Sequence, residues 1–177
     1  MNTYTILGID ASLTNSGLCV LRSDGYDLFS IKGGKYRGPE RLHRFKLEFQ
    51  KILDEYKPTL AVIENYAFAV MRGGRVYSIG ELGGLIRLLL FENGIKYYEV
   101  SPPSVKKFLT GSGACEKSLI LKEVYRRWNV DVSDDNLADA VVIAKIGEAL
   151  INDDIHLTKS EQAVIKKIRE TANEPTD

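Results

Sequence analysis

The chain has 177 residues, 44% of them hydrophobic, and its 24 basic and 24 acidic side chains balance to zero net charge. That fits one globular domain with a sizeable core plus a short tail, and the balanced charge does not by itself advertise a polyanionic partner. No run approaches the roughly 18 apolar residues of a membrane span, Leu85 to Phe91 being broken by Arg87, and no secretory leader is visible, so the expected location is the cytoplasm.

Tyr4 to Ile9 reads as a strand ending at Asp10. A turn over Thr14-Asn15-Ser16-Gly17, a strand from Leu18 to Arg22, a Ser-Asp-Gly turn and a strand from Asp27 to Ile31 complete an antiparallel meander. Between Lys32 and Lys46 stand six basic residues, Lys32, Lys35, Arg37, Arg41, Arg44 and Lys46, against the single acid Glu40. Such a run is a solvated face as often as a phosphate contact. Pro39-Glu40 opens a helix whose Leu42, Phe45, Phe49, Ile52, Leu53 and Tyr56 recur at helical spacing before Pro58. Leu60 to Glu64 has the continuous apolar character of a buried parallel strand, which a crossover must reach.

After a polar loop at Arg72 to Arg75, the periodicity predicts a helix from Val76 to Asn93, Gly94 as its C-cap, and a strand from Tyr97 to Val100. Gly80, Gly83 and Gly84 fall inside that helix, each costing about 1 kcal/mol relative to Ala, so a close-packing reason is expected. Pro102-Pro103 opens a short helix to Leu109, and Glu116 to Asn129 forms another. Ser133 or Asp134 caps a further helix running through Ala138-Asp139-Ala140 to about Leu150. Thr158-Lys159-Ser160-Glu161 is a capping box for a last amphipathic helix to about Arg169, which should dock on the core or on a second subunit, with the final residues disordered. The order predicts an α/β domain with a mixed sheet over residues 1–151 and a helical tail over 152–177. Cys19 and Cys115 lack metal-binding spacing and read as reduced thiols.

Three acids stand where a metal site would want them. Asp10 ends the first strand, Glu64 ends the parallel strand expected beside it, and Asp139 lies in the first turns of a late helix. Singly, each has an ordinary explanation as a turn residue, a solvated strand end or a charge near a helix N-terminus. Together they converge in a way those explanations do not predict. Hard cations such as Mg2+ take oxygen ligands and keep several waters, which suits carboxylates around an open cleft.

Gly8-Ile9-Asp10-Ala11-Ser12 with Asn15-Ser16-Gly17, then Val62-Ile63-Glu64, then Val105 to Leu109 with Gly111-Ser112-Gly113 and Glu116-Lys117-Ser118, then Asn136-Leu137-Ala138-Asp139-Ala140 resemble in order and spacing the RuvC family of Holliday junction resolvases. The resemblance covers roughly residues 4 to 150. An opening strand ending in Asp is shared by many RNase H-like and actin-like proteins, whereas the Val-Lys-Lys, Gly-Ser-Gly and Glu-Lys-Ser stretch is far more specific. It implies an RNase H-like fold with a five-stranded sheet, three antiparallel strands followed by parallel ones. It also implies a homodimer, most naturally joined through the Val76 to Asn93 helix, that nicks branched DNA symmetrically at a four-way junction. Two Mg2+ ions per site, replaceable by Mn2+, would assist in-line attack and leave 5′-phosphate and 3′-hydroxyl ends. By position, Asp10, Glu64 and Asp139 would be catalytic metal ligands with Asn136 at a fourth ligand position. Lys106 and Lys117 would serve catalysis and the phosphate backbone, with Lys107 beside them. Phe68 corresponds to an aromatic that stacks on a junction base, Tyr66 being a nearby rival, and Arg72 and Arg75 would contact phosphates.

Asn136 departs from the family pattern, which has an acid or a histidine three residues before the last Asp on the same helix face. An amide can lend a carbonyl oxygen but no charge, so cation binding should weaken. Either the chain manages with three carboxylates, recruiting Asp135, or Asn136 is an engineered Asp-to-Asn change. Two other functions are open: a junction-binding protein that has lost catalysis through Asn136, and an RNase H-like nuclease acting on RNA. An actin-like kinase would need a second related domain, for which the chain has no room.

Overall fold

The computed structural model describes residues 4–65, 75–132 and 134–172, apart from the side chains at 75, 117 and 118. Phe68, Arg72 and Tyr66, and the tail end expected to be disordered, lie outside the described residues. Five strands, β1 (Thr5–Asp10), β2 (Asn15–Arg22), β3 (Gly25–Lys32), β4 (Leu60–Glu64) and β5 (Lys96–Val100), form one sheet in the order β3-β2-β1-β4-β5. The meander β1-β2-β3 is antiparallel, and β4 and β5 add parallel to β1. The helices are α1 (Gly38–Tyr56), α2 (Arg75–Glu92), α3 (Pro102–Thr110), α4 (Lys117–Trp128), α5 (Asp135–Ile151) and α6 (Lys159–Ala172). Among the described residues, no helix is long and apolar enough to cross a membrane.

The second strand begins three residues earlier than its hydrophobic pattern suggested. Buried Ser16 closes the preceding turn with its own hydroxyl, donating to the Ser12 carbonyl at 2.8 Å and accepting from the Ser12 N–H at 3.0 Å. The backbone from Asn15 onward is thereby released to pair, and Asn15 stands opposite Lys32 in the ladder.

The strand period of two sorts side chains between two helical layers. Leu7, Ile9, Ala61 and Ile63 pack with Phe45, Phe49, Ile79, Ile86 and Leu89 of α1 and α2. Ile6, Leu60 and Val62 pack on the other face against α5, backed by α3, α4 and α6. The same alternation turns Gly8, and then Asp10 and Glu64, toward the α5 side.

Helix α5 comes unusually close to the sheet. A Cβ on Gly17 would lie 2.2 Å from the Asn136 carbonyl oxygen, one on Gly8 2.3 Å from the Ala140 carbonyl oxygen, and one on Gly147 2.6 Å from the Ile6 side chain. Gly17 and Gly8 therefore let backbone meet backbone, and Gly147 lets the helix backbone rest on the Ile6 side chain. The contacts run Asn136 to Gly17, Ala140 and Ala144 to Gly8, Gly147 to Ile6, so α5 descends antiparallel to β1 with its N-terminal turn over the end that carries Asp10.

The predicted capping box is formed: Thr158 N–H donates to the Glu161 carboxylate at 2.7 Å and Glu161 N–H points back to the Thr158 hydroxyl at 3.4 Å. Helix α6 buries Val164, Ile165 and Ile168 in the α5-side core. Buried Glu161 also accepts from the Arg127 guanidinium, which donates its other edge to the Phe108 and Leu109 carbonyls and so ties α3, α4 and α6 together. Burial alone would raise the Glu161 pKa, but the bonds from Arg127 and Thr158 outweigh it and the net shift is downward. A folded-state pKa below the unfolded value contributes stability that is full above roughly pH 4.3 and is lost as pH falls through the lowered folded value. Chemical denaturation between pH 7 and pH 3 should show this acid limb, and Glu161→Gln should flatten it while lowering stability at neutral pH by about 3 kcal/mol.

Candidate active site

Asp10 and Glu64 are the residues next beyond the paired Ile9 and Ile63 on adjacent parallel strands. The register alone therefore sets them side by side. Asp10 is 7% exposed, among the few buried acids. The backbone beyond Glu64 is held by Asn65 N–H, which donates to the Val100 carbonyl at 2.7 Å and fixes this strand end to β5. The third acid, Asp139, arrives from the second turn of α5 by the glycine-mediated seating described above.

The electrostatics report their proximity. The Glu64 carboxyl is pushed well above the ordinary carboxylate range, first by burial and then by the Asp10 and Asp139 charges, and it shares a hydrogen bond with Asp10. Lys106 of α3 acts on it in the opposite sense, as a nearby positive charge. Among the described residues no three His, Cys, Asp or Glu are already gathered tightly enough to cage a metal ion. What exists is an all-oxygen set, buried at its base and with more negative charge than one lysine offsets. That chemistry fits a hard divalent cation that keeps part of its water shell.

Asn136 is placed by a small polar network that the sequence alone did not reveal. Its side-chain amide donates to the Asn15 carbonyl at 2.9 Å, and the Asn15 amide donates to Asp134 at 2.8 Å. Asp134, as the N-cap of α5, accepts from the Asn136 and Leu137 N–H groups at 2.8 and 3.2 Å. The β1–β2 turn is thus clamped to the α5 N-terminus by an amide acting as donor, a role that a carboxylate at 136 could not fill. Asp134 was legible as a cap, but the participation of Asn15 depends on a contact across 119 residues of sequence.

The remaining predicted residues divide. Lys106 and Lys107 lie on α3, which leaves the sheet directly after β5 at the same end as the acids. Lys117 opens α4 and Arg75 opens α2, and their side chains are outside what is described.

An α/β sheet of this order with acids at its central strand ends defines the RNase H-like class of nuclease folds. A family model described as crossover junction endodeoxyribonuclease RuvC matches residues 6–146. The RuvC endonuclease of Thermotoga maritima is 30% identical over 152 residues, covering 81% of this chain and 90% of its own. That of a Synechococcus strain is 26% identical over 151 residues, covering 80% and 96%. Among solved structures, Thermus thermophilus RuvC in complex with a Holliday junction substrate has a TM-score of 0.68 at 24% identity, covering 80% of this chain and 90% of that one. The yeast mitochondrial Holliday junction resolvase has a TM-score of 0.58 at 15% identity, covering 94% and 82%, and like the first shows a shared fold. The chain belongs to the RuvC family.

Crowded carboxylates cost stability in the absence of a cation. Asp10→Asn should raise the melting temperature of the metal-free protein by a few degrees, because the amide can donate to Glu64 where a second carboxylate repels it. Mg2+ should then no longer shift the melting temperature, whereas it should raise that of the unaltered chain; scanning fluorimetry with and without Mg2+ reads both.

Proposed function

We propose that the chain is a structure-selective DNA endonuclease that resolves four-way junctions by paired, symmetric nicks. The observation that carries this reading is the meeting of Asp10, Glu64 and Asp139 at one sheet end in a chain of the RuvC family. These three would hold Mg2+, or Mn2+ in its place, as two ions per site. When bound, such ions lower the pKa of a coordinated water and offset charge on the attacked and leaving oxygens. The chain's own part is to hold the carboxylates rigidly and to place Lys106, with Lys107 and Lys117, against the backbone phosphates. Water adds to phosphorus in line, the bond to the 3′ oxygen breaks, and that oxygen takes up a proton, leaving a 5′-phosphate and a 3′-hydroxyl. Phe68, with Arg72 and Arg75 nearby, would meet the branch point. Residues 1–151 would form the nuclease domain and 152–177 its tail, and the protein would act in the cytoplasm.

Symmetric nicking needs two sites facing two equivalent strands, hence a homodimer. Helix α2 supports this. Tyr77, Leu88 and Phe91 are exposed along it, Tyr77 and Phe91 at 79% each. A Cβ at Gly80 or Gly84 would meet nothing within 4 Å among the described residues. The close-packing reason expected for these glycines is therefore not supplied by the described part of this chain, and a partner copy would supply it. Leu88→Asp with Phe91→Asp should convert a dimer to a monomer in sedimentation and abolish paired nicking.

Asn136 favours one second reading, a junction-binding protein without catalysis, since this position carries no charge for the cation. On the main reading, Asn136→Asp adds that charge and should raise Mg2+ affinity and cleavage, while costing the donor bond to Asn15, about 1–3 kcal/mol in metal-free stability. A labelled synthetic four-way junction, with an RNA–DNA hybrid and single-stranded RNA as comparison substrates, decides among these. Cutting of the junction by the chain or by Asn136→Asp, lost by at least a thousandfold in Asp10→Asn, supports the resolvase. Binding without cutting by every form supports the binder, and preferential RNA cleavage supports an RNA nuclease.

A further inference from the structure

The basic run between Lys32 and Lys46 is not used by the site described above. The fold places it at the same sheet end. Strand β3 finishes at Lys32 opposite Asn15, Gly33 N–H donates to the Thr14 carbonyl at 2.9 Å, and α1 starts at Gly38 immediately afterwards. A Cβ on Gly33 would lie 2.1 Å from the Leu13 carbonyl oxygen, so this loop is pressed directly on the segment that follows Asp10. A small recess of about 10 Å³ between them is lined by Ser12, Leu13, Lys32, Arg41 and Arg44.

The arginines here are arranged differently from the described ones elsewhere. Outside this run, Arg22, Arg87, Arg126, Arg127 and Arg169 are each in an ion pair with an acid. Within it, Arg37, Arg41 and Arg44 make none among the described residues, and neither do Lys32, Lys35 and Lys46. The Arg41 Nε is buried at the recess with no hydrogen-bond partner among the described residues, which is costly unless a water or a ligand supplies an acceptor. Arg44 lies over the Tyr36 ring at 4.0 Å, which restricts its otherwise free side chain, and Arg37 donates to the Tyr36 carbonyl at 3.3 Å. Helix α1 begins at this point with no side-chain cap, adding its positive end to the patch. A merely solvated face would need neither a buried unsatisfied guanidine N–H nor an arginine held over a ring.

We infer that Arg37, Arg41 and Arg44, with Lys32 and Lys35, form a second phosphate-binding site that grips the DNA strand flanking the scissile phosphate. This rests on the DNA endonuclease reading and extends it. Strand β3 is two strand spacings from β1, about 10 Å at roughly 4.8 Å each. With about 3.4 Å of axial rise per nucleotide along one strand, a phosphate at the Lys32 end of β3 lies roughly three nucleotides from the cut. The acids then sit between two cationic flanks, this one beyond β3 and the Lys106–Lys107 helix beyond β5, and the backbone would run across the sheet edge from one to the other.

The test is the salt dependence of junction binding, measured by fluorescence anisotropy in EDTA with the full chain. Arg37→Gln with Arg44→Gln removes two exposed charges without touching the core, and Lys166→Gln with Lys167→Gln on α6 removes the same charge elsewhere. Each lost phosphate contact should lower the slope of log affinity against log salt by about 0.9, so the arginine pair should lose roughly 2 and the lysine pair nothing. Arg41→Gln should add a further decrement, with a melting curve to confirm folding. Neutral methylphosphonate linkages placed two to four nucleotides from the nick should weaken the unaltered chain and leave the arginine variant unaffected. Equal slopes for the arginine variant and the unaltered chain, or equal sensitivity of both to the neutral linkages, would overturn the inference. Cleavage of the same junction by the unaltered chain or Asn136→Asp reads the endonuclease assignment separately. That assignment can therefore stand while this one falls.

Discussion

The site depends on the backbone-to-backbone seating of α5 on the sheet. Gly8 and Gly17 leave no side chain between helix and strand at their positions, and Gly147 leaves room for the Ile6 and Val62 side chains, so the helix cannot slide or tilt without a clash. Because α5 runs antiparallel to β1, that seating puts its first turn over the β1 and β4 ends. Asp139 is brought to Asp10 and Glu64 by this packing. A loop could carry the same residue types but would not hold them to a fixed separation.

The arrangement sets electrostatics against stability. Placing Asp10, Glu64 and Asp139 together raises the Glu64 pKa, first because burial penalises its charged form and then because the Asp10 and Asp139 charges make its ionisation harder. The fold tolerates the strain because the acids occupy only the rim, whereas the strand residues beneath them, Ile6 to Ile9 and Leu60 to Ile63, are almost wholly buried. Asn136 fits this balance. A fourth charge at the α5 N-terminus would add to the repulsion, and the amide instead donates a bond that fastens the β1–β2 turn to the helix. On the proposed reading, the chain exchanges some cation affinity for a better anchored turn.

A net charge of zero conceals a sharp segregation of charge. Among the described residues, arginines away from the sheet end are neutralised locally by Asp or Glu, while those on α1 and its approach make no ion pair. Summed charge therefore says little about a nucleic-acid partner, because attraction for a phosphate chain depends on where unpaired cations lie relative to the reacting point.

Much of the architecture was readable along the chain. Period-two alternation in β1, the apolar run of β4, the 3.6-residue periodicity of α1 and the capping box of α6 are local signals, each requiring only neighbours in sequence. Asp10 and Glu64 were identifiable because each ends a legible strand, and the Asn136 to Asp139 spacing because it lies on one helix. The early start of β2 was missed because the Ser16 hydroxyl, rather than hydrophobicity, closes its turn. The amide network of Asn15, Asp134 and Asn136 was missed because its members are remote in sequence. The basic run between Lys32 and Lys46 was visible as composition, yet only the pairing of Asn15 with Lys32 shows that it shares an edge with the acids. By itself the sequence determined the elements, their order and the residue types available for chemistry, since these follow from local propensity and periodicity. Which acids meet, which arginines stay unpaired and what Asn136 donates to were decided only by tertiary structure, because each depends on distances between segments that no local pattern encodes.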